Sequence, residues 1–278
     1  MNFKTFSKLI MVEQTLFALP FAYIGILFAG GGDFKVWFWA TLALFFARTA
    51  GMSFNRAIDA GIDGKNPRTR TRALPAGEIT PWTVWVLGAG SSAMLIFSAR
   101  MLNDICFYFS FPAVILLFTY SYFKRFSSTS HFYLGLVEAA APVGGYLAVT
   151  GAFSLTPFLL GFVILMWIAG LDIIYALMDM EFDTREKLYS IPARWGRENA
   201  IFMSTACYVL AFTCLLLLGD LTDKKAPYWI AVFTIGGLFL IQQILARKQN
   251  IAKAVGTLFN VNMFISPLLF FGSLLDLL

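Results

Sequence analysis

Two groups of aspartates have the types and spacing to do chemistry. The first lies in Asn55-Arg56-Ala57-Ile58-Asp59-Ala60-Gly61-Ile62-Asp63, and the second runs from Asp172 through Tyr175 and Asp179 to Asp183. At about 100° per residue, Asn55, Asp59 and Asp63 share one helical stripe, with Arg48 near the same stripe. Asp172, Asp179 and Asp183 are expected to project within a narrow arc, with Tyr175 beside it. Clustered carboxylates repel one another, and burial raises their pKa values further. Magnesium resolves such a conflict, because it takes oxygen ligands from carboxylates, substrate phosphates and water. Asn55 adds a neutral oxygen. Arg68 and Arg72, which follow the first group, can hold phosphate oxygens that a metal leaves free. Tyr120 and Lys124, four residues apart, can supply a further donor pair. The chemistry implied is the meeting of a divalent cation with a polyanion.

The elements that must position these residues are membrane helices. The chain has 278 residues, 59% hydrophobic and 13% charged, against about 25% charged in a soluble domain. Stretches of about 20 apolar residues are long enough to span a bilayer. They occur at 10–29, 36–58, 81–99, 104–124, 132–151, 156–180, 199–219, 228–246 and 255–276. Backbone groups cannot stay unpaired in lipid, so the expected fold class is all-α, an integral membrane bundle of nine transmembrane helices forming a single domain over 1–278. No cleavable signal peptide is evident, since the first apolar stretch is interrupted by Glu13, Gln14 and Pro20.

Charge gives the orientation. Of the 21 basic residues, Lys35, Arg100, Lys224 and Lys225 fall on one side, Arg48 and Arg56 lie within the second span, and the rest gather on the other side. Positive loops stay cytoplasmic, so the N-terminus and both acidic groups are expected at the cytoplasmic face. The net charge of +5 is then mainly an orientation signal, and no soluble basic patch suggests a nucleic-acid partner. The three cysteines, Cys106, Cys207 and Cys214, lie in apolar runs without a CxxC pair and read as packing residues. The single histidine, His131, stands in a Ser/Thr-rich segment and reads as a surface residue. Arg70 faces water, and Glu13 is either a site residue or a snorkelling anchor.

The two groups match a known pattern. Asn55, Asp59 and Asp63 form NxxxDxxxD, and Asp172, Tyr175, Asp179 and Asp183 form DxxYxxxDxxxD. With PRTRTRALPAGEIT, YSYFKRF and LYSIPARWG around them, the chain resembles the UbiA superfamily of intramembrane prenyltransferases over almost its whole length. The resemblance implies that magnesium is held by Asp59, Asp63, Asp179 and Asp183, with Asn55 assisting. It also implies that the metal and the residues Arg68, Arg72, Lys124 and Tyr120 bind the diphosphate of a polyprenyl donor. Ionisation of the donor would give an allylic cation for attack by an aromatic ring, with Asp59, Asp179 and Asp172 as catalytic residues. Asp172, Arg48 and Tyr175 would face that aromatic acceptor, Arg48 pairing its carboxylate.

Within the superfamily, VEQTLFALPFAYIG and MDMEFDTREKLYSIPARWG look most like bacterial 4-hydroxybenzoate polyprenyltransferases, which implies a bacterial inner membrane and quinone biosynthesis. A dihydroxynaphthoate acceptor of menaquinone synthesis is the alternative, since both acceptors carry a hydroxyl and a carboxylate. From other classes, a cation-coupled transporter would more often place its charges near the bilayer midplane, and a non-catalytic isoprenoid-binding protein would not need the full acidic set. The expected partners are a polyprenyl diphosphate, a small aromatic acceptor and membrane lipids.

Overall fold

The computed structural model describes residues 3–248 and 251–278, with the side chains of residues 3–4, 13–17, 251–253 and 255 outside the description. Glu13 is therefore among the residues of whose side chains nothing is described. Among the described residues eleven helices follow one another: α1 (Phe3–Ile10), α2 (Val12–Phe28), α3 (Phe34–Lys65), α4 (Pro81–Leu102), α5 (Asp104–Phe123), α6 (Ser130–Thr150), α7 (Leu155–Ala176), α8 (Met180–Arg185), α9 (Ile191–Leu221), α10 (Ala226–Ala246) and α11 (Ile251–Leu277). No strand occurs among the described residues.

Seven helices among the described residues are long and apolar enough to cross a membrane: α4, α5, α6, α7, α9, α10 and α11 from Gly256. The expected first span is a shorter apolar stretch, Ala18–Phe28. The expected second span is α3, whose 32 residues reach about 48 Å at 1.5 Å per residue. That exceeds a hydrocarbon core of about 30 Å, so α3 can carry Asp59 and Asp63 on its last turns beyond the apolar layer.

Local signals fix the helix starts. The Asp33, Thr80, Asn103 and Ser190 side chains accept from amides in the first turns of α3, α4, α5 and α9, satisfying donors that would otherwise be orphaned. Asn103 also donates to the Leu147 carbonyl at 2.8 Å, tying α5 to α6. Glycine sets the closest crossing. A Cβ on Gly25 would lie 2.0 Å from the Pro142 carbonyl oxygen, and one on Gly145 would lie 2.0 Å from that of Ala22. The backbones of α2 and α6 touch there because neither residue has a side chain. The largest buried cluster centres on Trp167, Tyr208 and Phe239 and joins α7, α9, α10 and α11.

The expected sixth span, 156–180, ends early. Helix α7 stops at Ala176 and tightens through i→i−3 bonds from Leu177, Met178 and Asp179 before α8 begins. Asp172 therefore does not share one regular stripe with Asp179 and Asp183. The physical reason is the chain's content: Asp179, Glu181 and Asp183 end the apolar period, and a 3₁₀-like turn lets the chain leave the helix axis. Between α3 and α4, the loop that carries Arg68 and Arg72 is packed under α1 by Leu9, Ile10, Ala73, Leu74 and Ile79.

Candidate active site

The C-terminal ends of α3, α5 and α7 meet the α8 turn and the loop after α3. Asp59, Asp63 and Asp179, three of the carboxylates placed there, rest on cations. Asp59, 2% exposed, accepts from Asn55 Nδ2 at 2.9 Å and Arg125 Nη2 at 3.0 Å, and pairs with Lys124 Nζ at 3.1 Å. Asp63 accepts from Arg72 Nη1 at 2.8 and 2.7 Å through both oxygens, with Arg56 at 3.9 Å. Arg68 forks onto Asp179, its Nε donating to Oδ1 at 3.0 Å and its Nη2 to Oδ2. Asn66 adds a third donor to Asp179 at 3.2 Å. Hydrogen bonding to Asp179 holds the Arg68 guanidinium above its ordinary pKa, whereas burial pushes the Asp183 carboxyl up.

Backbone bonds lock the frame. The Tyr189 amide donates to the Lys124 carbonyl at 2.7 Å, and Lys65 bridges to Glu186 at 2.9 Å. The structure thus joins α3, α5 and the α8 segment at one rim.

Below that rim lies a cavity of about 690 Å³, within the range of small-molecule sites. Its upper wall includes Asn55, Asp59, Arg68, Arg72, Lys124 and Asp179, with Asp183 and Tyr120 beside them. Asp63 is not on the wall and reaches it through Arg72. The Tyr120 hydroxyl donates to the Gly51 carbonyl at 3.3 Å, which anchors the ring to α3. The middle of the wall carries Arg48, Glu138, His131, Asp172 and Tyr175, and the far end is apolar, with Leu95, Ala99, Leu102, Cys106 and Phe109.

His131 is not a surface residue; it is 3% exposed. Its Nδ1 lies 2.7 Å from Asp172 Oδ2, and its Nε2 accepts from the Ile191 amide at 3.2 Å. An amide can only donate, so Nε2 carries the lone pair and the ring proton sits on Nδ1, donated to Asp172. The apolar flank of α6 and the start of α9 bury a ring whose Ser/Thr-rich surroundings in sequence look like a surface turn. Arg48 is also engaged: its Nη1 donates to Glu138 Oε1. Sequence reasoning passed over Glu138, Arg125 and Asn66. Glu138 had a signal, an acid inside an apolar span, while Arg125 and Asn66 had none beyond their position next to named residues.

The donor set at the rim is all hard oxygen, from carboxylates and the Asn55 amide, and this suits magnesium. No three His, Cys, Asp or Glu side chains among the described residues are gathered as ligands of one ion. Relief of the like-charge repulsion comes here from Arg68, Arg72, Lys124 and Arg125. A rim of paired cations and carboxylates above an apolar chamber can accept a diphosphate headgroup together with its lipid tail.

Known proteins match this arrangement. A model described as the UbiA prenyltransferase family matches residues 18–268. The chain is similar to a 4-hydroxybenzoate octaprenyltransferase of Pectobacterium carotovorum, 28% identical over 277 residues, covering 99% of this chain and 93% of the relative. It is similarly related to a 4-hydroxybenzoate octaprenyltransferase of Acinetobacter baylyi, 30% identical over 252 residues, covering 88% and 84%. Among solved structures, the apo form of a UbiA homolog from Aeropyrum pernix agrees at a TM-score of 0.88 with 30% identity, covering 96% of this chain and 98% of that one. A UbiA homolog from Archaeoglobus fulgidus bound to DMAPP and Mg2+ shares the fold at a TM-score of 0.77 and 17% identity, covering 98% and 99%.

Proposed function

The chain belongs to the UbiA prenyltransferase family, and from that premise we propose that it moves a polyprenyl group from an allylic diphosphate onto an aromatic hydroxy acid, 4-hydroxybenzoate being the acceptor its relatives' names favour. The observation that carries this reading is the single cavity that joins a cationic, carboxylate-bearing rim to an apolar chamber. A transporter needs no such pairing of a polyanion site with a lipid-sized apolar arm. The protein is an integral membrane enzyme, and the proposal adds a bacterial inner membrane with the rim facing the cytoplasm, following the basic loops. The whole chain acts as one domain.

Arg68, Arg72 and Lys124 exchange their carboxylate partners for diphosphate oxygens when the donor binds. Asp59, Asp63, Asp179 and Asp183, with Asn55, are the residues that would hold magnesium, in keeping with the Mg2+ named for the Archaeoglobus fulgidus homolog. Magnesium bound there supplies charge neutralisation to the departing diphosphate. The arginines and Lys124 stabilise the same developing charge as the C–O bond breaks. Leu95, Ala99, Leu102 and Phe109 hold the tail and keep water from the allylic cation. The acceptor ring forms the new C–C bond and gives up its ring proton. Asp172, fixed by His131, orients the acceptor hydroxyl, and Tyr175 and Arg48 complete that wall.

The test is purified protein with magnesium, a polyprenyl diphosphate and either 4-hydroxybenzoate or a dihydroxynaphthoate, with prenylated product as the readout. Product is expected with the hydroxybenzoate, and Asp59→Asn or Asp179→Asn should abolish it while the protein stays folded. Product only with the naphthoate would overturn the choice of acceptor. Full turnover in both variants would show that the metal and diphosphate are held elsewhere.

A further inference from the structure

Arg48 and Glu138 face the middle of the cavity, away from the phosphate-binding rim. On α3, Arg48 precedes Asn55 by seven residues, which sets it about 10 Å further down the helix. Both side chains are largely buried, 16% and 14% exposed. Glu138 takes the Nη1 end of the guanidinium, while Arg48 Nε is buried with no hydrogen-bond partner. Nη2 also makes no hydrogen bond but, unlike Nε, is not sealed off, so it is the donor that an accepting ligand atom in the cavity can reach.

The charges around this donor decide what it prefers. Glu138 cancels the charge of Arg48. A carboxylate entering here meets a neutral pair. Without Glu138 it would meet a full positive charge in a site of low dielectric, where that difference is large. We propose that Glu138 sets the charge selectivity of the acceptor subsite: it positions Arg48 with Nη2 open to the cavity and cancels its charge, so that aromatic acceptors bearing a carboxylate or an uncharged carbonyl opposite the hydroxyl are both taken, with narrow discrimination. The proposal rests on the aromatic-acceptor reading above.

The experiment compares 4-hydroxybenzoate with its uncharged isostere 4-hydroxybenzamide, using the full chain in detergent micelles, magnesium and one polyprenyl diphosphate. The readout is the ratio of kcat/KM for the two acceptors, which a loss of folded protein does not move. In the wild type the ratio is expected to lie within about tenfold, and Glu138→Gln should raise it toward the carboxylate by a further tenfold or so. The double variant Arg48→Gln with Glu138→Gln removes both charges and should restore the narrow ratio. Product formation with a ratio that Glu138→Gln leaves unmoved, or moves toward the amide, overturns this proposal alone. No product from either acceptor in the wild type, with the prenyl diphosphate still bound, overturns the aromatic-transfer reading and this proposal with it.

Discussion

Replacing His131 tests how the acceptor wall is built. The imidazole does two things: it donates to Asp172 from Nδ1 and accepts the Ile191 amide at Nε2. His131→Leu removes both. A hydrogen bond to a charged group contributes about 1.5–3 kcal/mol, and an orphaned buried amide costs about 1–3 kcal/mol. The His131 side chain is 4% exposed, so water cannot replace it at Ile191, but Asp172 is 36% exposed and can recover part of its loss from solvent. The expected destabilisation is therefore about 3 kcal/mol, near the lower half of the summed range. His131→Asn places an amide nitrogen near the site of Nδ1 and keeps the donor to Asp172, so it should lose about 1–2 kcal/mol, mostly at Ile191. The two variants separate structure from positioning. Asp172 loses its orientation only in His131→Leu, where kcat should fall about 10- to 100-fold, the scale for partners that orient a reacting group. Denaturant unfolding in detergent gives the stabilities, and prenyl-transfer kinetics give kcat. A His131→Leu enzyme that turns over like the wild type, or a His131→Asn enzyme that loses as much activity as His131→Leu, would refute the tautomer and positioning argument.

Three further outcomes follow from the geometry. Burial raises the Asp183 carboxyl, so the folded state keeps that proton at pH values where the unfolded chain has released it, and ionisation there costs stability. Asp183→Asn should stabilise the metal-free protein at neutral pH in thermal unfolding yet raise the magnesium concentration needed for turnover; in the wild type the acid limb of activity should move to lower pH as magnesium is raised, and a limb indifferent to magnesium would contradict the assignment. Arg68 is about half exposed, so Arg68→Lys should change stability by no more than about 1 kcal/mol, but the loss of its fork should raise the KM of the prenyl diphosphate about tenfold, checked by steady-state kinetics. Gly145→Ala places a methyl 2.0 Å from the Ala22 carbonyl oxygen, whereas a Cβ on Gly144 meets nothing within 4 Å. Forcing α2 from α6 should cost 1–3 kcal/mol or so, while Gly144→Ala should be neutral or mildly stabilising, as read by unfolding in detergent.

Much of the site was legible in the chain because its pattern is local. Asn55, Asp59 and Asp63 share a stripe by helical period alone, and α3 realises that stripe as one unbroken helix. The apolar spans were legible for the same reason, since their length and composition are set within each segment. The second group was less so. Its spacing suits a continuous helix, yet α7 ends at Ala176, because leaving the axis brings Asp179 onto Arg68, 111 residues away. His131 was misread because its burial depends on α7 and the start of α9, which no neighbouring residue announces.

By itself the sequence determined the all-helical membrane class, the two acidic groups and the basic residues available to them. Those properties follow from hydropathy and from a period of 3.6 residues, both of which act over a few turns. Only the tertiary structure decided the pairings: Arg48 with Glu138 across 90 residues, His131 with Asp172 across 41, and Asp59 with Arg125 across 66. Each depends on which face one helix turns toward another. That choice is made by close backbone crossings such as Gly25 and Gly145, and by buried charges that must find partners wherever the packing brings them.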